Sequence, residues 1–67
     1  MNKNLLRYFM SVNGDNQTTL AEALGMQQSA LSARMNGKTD FRKNEMEVIR
    51  KRYNLDAEKM QEIFFAN

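Results

Sequence analysis

The sequence predicts an all-α fold of five short helices in one domain, and three observations predict it. Apolar residues recur at helical spacing from one end of the 67-residue chain to the other. The breaks between these stripes fall at Gly, at Asn-Gly, or at a capping Asn or Asp, which are residues that stop and start helices. No proline occurs, and nothing is repeated or low in complexity, so no linker divides the chain. A chain of this length buries only about 60% of its unfolded surface, which allows one small core and little room for a deep catalytic pocket.

Each element follows from its own residues. Leu5, Leu6, Phe9 and Met10 form an amphipathic stripe that stops at Asn13 and Gly14, so helix one is expected over about Lys3–Val12. Asn16 is an N-cap for a helix of about Gln17–Leu24, which carries Leu20, Ala21 and Leu24 and ends at Gly25. After that turn, Ala30, Leu31 and Met35 keep helical spacing until Asn36 and Gly37 close helix three. The loop from Lys38 to Phe41 follows. Met46, Ile49 and Tyr53 mark a fourth helix beginning at Lys43. Asp56 caps a fifth, in which Met60, Ile63 and Phe64 share a face.

Composition narrows the chemistry. The chain has no cysteine and no histidine, which removes disulfides, thiol chemistry, most zinc sites and imidazole acid-base work. Glu45 and Glu47 sit two apart on a helix and point to different sides, while Asp56 and Glu58 read as cap and first-turn charges. No enzyme, cofactor, metal site or small-molecule substrate is expected. Apolar runs are short and the N-terminal stretch is polar, so neither a secretory nor a membrane segment is expected, and the expected location is cytoplasmic. The formal net charge is only +2, but residues 31–53 carry seven basic against three acidic side chains, a local balance of +4. A basic middle beside an acidic tail fits a polyanionic partner on one face, and fits a merely solvated face nearly as well.

The stretch Gly25-Met-Gln-Gln-Ser29 is unusual for a helix start, because it offers uncharged hydrogen-bonding groups rather than a cap and charges. Two helices of about eight residues joined by a short turn with Gly form a helix-turn-helix, whose second helix enters a DNA major groove. Small Ala21 suits the close crossing of the two helices, Gly25 gives the turn its backbone freedom, and Leu20, Leu24, Met26 and Leu31 fill the wedge.

The segment QTTLAEALGMQQSALSARMNGKT resembles the helix-turn-helix of phage repressors and Cro proteins of the lambda and 434 type, and the five-helix layout extends the likeness over nearly the whole chain. The NGKTDF and IFF elements are also similar to small regulators from prophages of Gram-positive bacteria. The resemblance implies a lambda-repressor-like fold and a double-stranded operator as partner. It implies that Gln17 grips a phosphate with the N-terminus of helix two. Gln28 would read adenine through N6 and N7, and Ser29 would take the next position. Ser32 and Ala33 would meet base edges one turn later, Ala33 against a thymine methyl. Gln27 would serve base or backbone, and Asn36 a phosphate. Lys38, Arg42 and Lys43 are candidates for flanking phosphates.

Structural roles stand beside these. Gln28 could cap helix three, Ser29 could hold an N-terminal amide, and Asn36 could serve only to end the helix. Position 34 departs from the resemblance: it is Arg where many family members bury Leu or Ile. Met35 is then expected to take the apolar role, and Arg34 to lie near the surface within reach of a phosphate. Arg50, Lys51 and Arg52 read as solvated or snorkelling. Phe64 and Phe65 cannot both face one core, since helix neighbours point about 100° apart, so one is a candidate dimer contact. The expectation is a minimal Cro-type transcriptional regulator that binds DNA as a weak or DNA-induced homodimer. A protein-binding module that keeps the helix-turn-helix fold and modulates another repressor is the alternative.

Overall fold

Residues 1–66 are described by a computed structural model of the chain. They form five helices, α1 (Lys3–Val12), α2 (Gln17–Leu24), α3 (Gln28–Met35), α4 (Lys43–Tyr53) and α5 (Ala57–Phe64), packed into a body of 28 × 25 × 21 Å. No strand is present among the described residues, and none of the helices is long and apolar enough to cross a membrane.

The starts of the helices are set by local hydrogen bonds. Asn2 Oδ1 accepts from the Leu5 amide at 3.1 Å, and Asp56 Oδ1 accepts from the Lys59 amide at 2.8 Å. At α2 the capping is reciprocal: the Thr19 amide donates to Asn16 Oδ1 while the Asn16 amide donates to Thr19 Oγ1. At α4 the Arg42 amide donates to Glu45 Oε1 at 2.9 Å. The ends are set by residues that reverse the backbone. Gly25 closes α2 at φ 68°, with its own amide on Glu22 O and the Met26 amide on Ala21 O. Asn54 closes α4 in the same left-handed region at φ 53°, a conformation that asparagine tolerates and most residues avoid.

One core joins all five helices. Leu6, Leu20, Leu31, Ile49 and Ile63, one from each helix, are completely buried. Full burial of such a side chain contributes about 1.5–3 kcal/mol, so these five hold the body together. Met10, Met35, Tyr53 and Leu55 complete the interior, and Phe9, Leu24, Met26, Phe41, Met60 and Phe64 pack partly buried around it. α2 and α3 pack directly on one another, with Ala21 nearly inaccessible at 2% exposure. A larger side chain there would meet close-packed neighbours. The α2–turn–α3 unit is thus a helix-turn-helix supported from behind by α4 and flanked by α1.

Candidate nucleic-acid interface

The first turn of α3 stands out from the surface. Its N-cap residue, Gln27, is extended (φ −76°, ψ 157°) and makes no side-chain capping bond. Gln27, Gln28 and Ser29 are all exposed, and none of the three side chains bonds to a described residue. The capping role open to Gln28 and the amide-holding role open to Ser29 are therefore not what these residues do here. Leu31 and Met35 anchor the opposite side of α3 in the core. Ser32 and Ala33, half-buried, lie four residues on from Gln28 and Ser29 and continue their face.

Asn36 is the C-cap of α3 and has structural work. Its Oδ1 accepts from Lys3 Nζ at 3.0 Å, and its Nδ2 donates to Ser32 Oγ at 3.3 Å. The chain then turns through paired bonds from the Gly37 amide to Arg34 O and from the Lys38 amide to Ala33 O. Lys38, Arg42 and Lys43 follow as exposed cations, with no ion pair to a described residue.

Arg34 is placed differently from expectation. It does not project as a surface cation but pairs with Glu45 across the α3–α4 boundary, Nε to Oε1 at 2.8 Å and Nη2 to Oε2 at 3.1 Å. The two side chains are only 16% and 10% exposed. The physical reason is that α4 presents Glu45 to this flank of α3, and a nearly dry carboxylate requires a matched partner. Burial pushes the Glu45 carboxyl up, but the Arg42 amide and then the Arg34 guanidinium more than offset it, and the net shift is downward. Arg34 is committed to fixing α3 against α4. Met35 takes the apolar role, buried at 5% exposure.

A second pair lies under α2. Asp15, between α1 and α2, accepts from Arg52 Nε and Nη2, from Tyr53 Oη and from Thr19 Oγ1, all within 2.6–2.7 Å. Arg52 is thus a tie rather than a solvated cation, and it holds the Asp15 carboxyl far below the usual carboxylate range. Burial and then Asp15 push the Tyr53 phenol up. Because Thr19 belongs to the α2 cap, this cluster fixes the N-terminus of α2, where Gln17 is exposed, against α1 and α4. Arg50 pairs with Glu47 on the exposed side of α4, while Lys51 is exposed and has no ion pair to a described residue.

Sequence reasoning missed Lys3 and Arg7. With Gln17, Ser32 and Asn36 they line a cleft of about 550 Å³ between α1, the start of α2 and the end of α3. Their i,i+4 spacing on α1 was the available signal. The cleft combines Lys3 and Arg7 with a helix N-terminus, amide groups and the Asp15 carboxylate, whose charge Arg52 offsets, so the balance stays positive and suits a phosphate diester.

Phe64 and Phe65 divide as their spacing requires. Phe64 is half-buried and meets Phe41 edge to face, with centroids 5.3 Å apart, while Phe65 is 58% exposed. With Met1 and Met46 these aromatics border a second hollow of about 550 Å³ on the far side of the α3–α4 loop. Comparisons of the chain with protein families, with curated proteins and with solved structures found no match.

Proposed function

We propose that the chain is a sequence-specific double-stranded DNA-binding transcriptional regulator of the kind represented by phage repressors and Cro proteins, which α3 enters through the major groove. One observation carries the reading: Gln27, Gln28 and Ser29 project uncharged donors and acceptors from the start of a rigidly held helix, with no partner among the described residues. Such groups gain nothing for folding, and their geometry suits base edges. Cations without an ion pair to a described residue lie on both sides of α3 and support it: Lys3 and Arg7 beside the α2 N-terminus, and Lys38, Arg42 and Lys43 beyond the α3 C-terminus. In this reading Gln28 reads adenine, Ser29, Ser32 and Ala33 define neighbouring bases, and Gln17, Asn36 and the cations hold phosphates.

A single module buries little surface, whereas specific sites require tight binding. The chain then acts as a homodimer on a palindrome, with half-sites about 34 Å apart. The exposed Phe65 beside the aromatic hollow supports pairing through the C-terminal segment. The same hollow favours a second reading, a module that binds another protein.

Selection of bound sites from random duplex DNA at two salt concentrations tests the proposal. A palindromic motif with a fixed adenine that Gln28→Ala loses is the expected result. Weak binding without a motif, vanishing at higher salt, would reject base reading and favour the protein partner.

A further inference from the structure

The hydrogen bond between Lys3 and Asn36 decides more than the placement of α1. An ammonium has three donors and no acceptor, so Lys3 Nζ can face only the oxygen of the Asn36 carboxamide, as it does at 3.0 Å. This sets which way round the amide stands. Its Nδ2 end is turned to α3 and donates to Ser32 Oγ at 3.3 Å. Ser32 therefore receives a hydrogen bond, and its own proton has no acceptor among the described residues. The hydroxyl lies one turn beyond Gln28, beside Ala33, and borders the cleft that holds Lys3 and Gln17.

We infer that Lys3 is a positioning residue for base reading: acting through Asn36, it holds the Ser32 hydroxyl as a hydrogen-bond donor, so Ser32 selects an acceptor on the major-groove edge of duplex DNA. Purine N7, guanine O6 and thymine O4 are such acceptors, whereas the polar group of cytosine there is an amino donor. Cytosine is the base this contact favours least, since its amino group would meet only the second Ser32 lone pair and leave the hydroxyl proton without an acceptor. An unconstrained serine hydroxyl rotates to donate or accept and discriminates poorly, and the bond from Asn36, which fills one of its two lone pairs, biases it toward donating. The inference rests on the DNA-reading function proposed above and adds to it the polarity of one contact. One neutral hydrogen bond corresponds to roughly a two- to tenfold preference.

The test is selection of bound sites from random duplex DNA by the parent, Ser32→Ala, Lys3→Met and Asn36→Asp proteins, each first checked for folding by thermal melts. Ser32→Ala is expected to flatten the preference at one base pair and so to identify it. Lys3→Met removes a charge and weakens binding to every sequence, but it is also expected to flatten that same base pair by roughly two- to tenfold. Asn36→Asp places a carboxylate against Ser32, draws the hydroxyl proton to itself, and is expected to shift the preference there toward an amino-bearing edge. If Lys3→Met weakens all sequences equally and leaves that preference intact, the inference is overturned while the proposed function stands. If Ser32→Ala alters no position, it is overturned in the same way. A parent protein that enriches no motif overturns both.

Discussion

Asp15 and Arg52, thirty-seven residues apart in the chain, face each other through two hydrogen bonds, Nε to Oδ2 at 2.6 Å and Nη2 to Oδ1 at 2.7 Å. The contact joins the α1–α2 loop to the last turn of α4, and Asp15 also accepts from Thr19 in the first turn of α2. Arg52 first, then Tyr53 and Thr19, hold the Asp15 carboxyl far below its ordinary 3.8, against a burial that pushes it up. A carboxyl depressed in the folded state contributes stability that is complete above the unfolded value and is lost as pH falls below it. Asp15→Asn is expected to lower stability near neutral pH by about 2 kcal/mol, a figure reduced for the partial exposure of Arg52. It should also lose less stability than the parent as pH drops from about 5 to about 2. Denaturant melts at several pH values check this. An identical acid response in both proteins would remove Asp15 from the account.

The Arg34–Glu45 pair makes a second prediction. Both side chains are nearly dry, so removing either one leaves an unmatched group. Arg34→Met is expected to cost about 2–3 kcal/mol, since Glu45 keeps its charge and retains only the Arg42 amide. Glu45→Gln, which keeps an oxygen for that amide, should cost less. The double variant should recover stability relative to the sum of the two, because an apolar side chain beside a neutral amide leaves no buried charge. A double-mutant cycle measured by chemical denaturation decides the matter, and a coupling near zero would mean the pair does not fix α3 to α4.

These two pairs mark the boundary of what the residues disclose in order. The five helices were legible because their signals are local: Asn16 and Asp56 cap within three residues, and Gly25 and Asn36-Gly37 stop what precedes them. The exposed, uncapped start of α3 was legible for the same reason, as a helix start without charge at Gln27, Gln28 and Ser29. The pairing of Arg34 with Glu45, and of Arg52 with Asp15, depends on how helices distant in the chain cross, and no spacing rule encodes it. Hence Arg34 read as a surface cation and Arg52 as a solvated one. The left-handed turn at Asn54 was missed because asparagine adopts that conformation far less often than glycine, and only the closing bonds from Asn54 and Leu55 to Lys51 and Arg50 reveal it.

The freedom of Gln28 and Ser29 separates folding from binding. Neither side chain bonds to a described residue, so Gln28→Ala and Ser29→Ala are expected to leave stability within about 0.5 kcal/mol of the parent. If Gln28 reads adenine with both its groups, its loss weakens specific binding by about 1–3 kcal/mol while binding to unrelated DNA is unchanged. Parallel melts and binding titrations on the selected site and on random duplex give the comparison. Equal losses on both DNAs would show that Gln28 holds backbone rather than base.

The division between free and paired cations predicts salt dependence. Each phosphate contact adds about 0.9 to the slope of log affinity against log salt. Arg7 lines the cleft and Lys38 lies exposed beyond α3, neither in an ion pair with a described residue, whereas Arg50 is held by Glu47. Arg7→Gln and Lys38→Gln should each lower the slope by about 0.9, and Arg50→Gln should leave it nearly unchanged. Titrations at four salt concentrations measure it. If Arg50→Gln reduced the slope as much as the other two, the DNA-facing side would have to include α4.

The two C-terminal aromatics share one chemistry and differ in surroundings. Phe64 packs edge to face on Phe41 and is half-buried, so Phe64→Ser should destabilise the chain by about 2–3 kcal/mol. Phe65 is 58% exposed beside the hollow, so Phe65→Ser should alter stability by no more than about 0.5 kcal/mol. If Phe65 lies between two copies on a palindrome, its loss removes an aromatic anchor that is buried only in the dimer. Binding to a full palindrome should then become noncooperative, while binding to a half-site is unchanged. Titrations on the two DNAs, with sedimentation of the complexes, measure both. Full cooperativity in Phe65→Ser would move the contact between copies away from α5, and the aromatic hollow would then be the first place to seek a different protein partner.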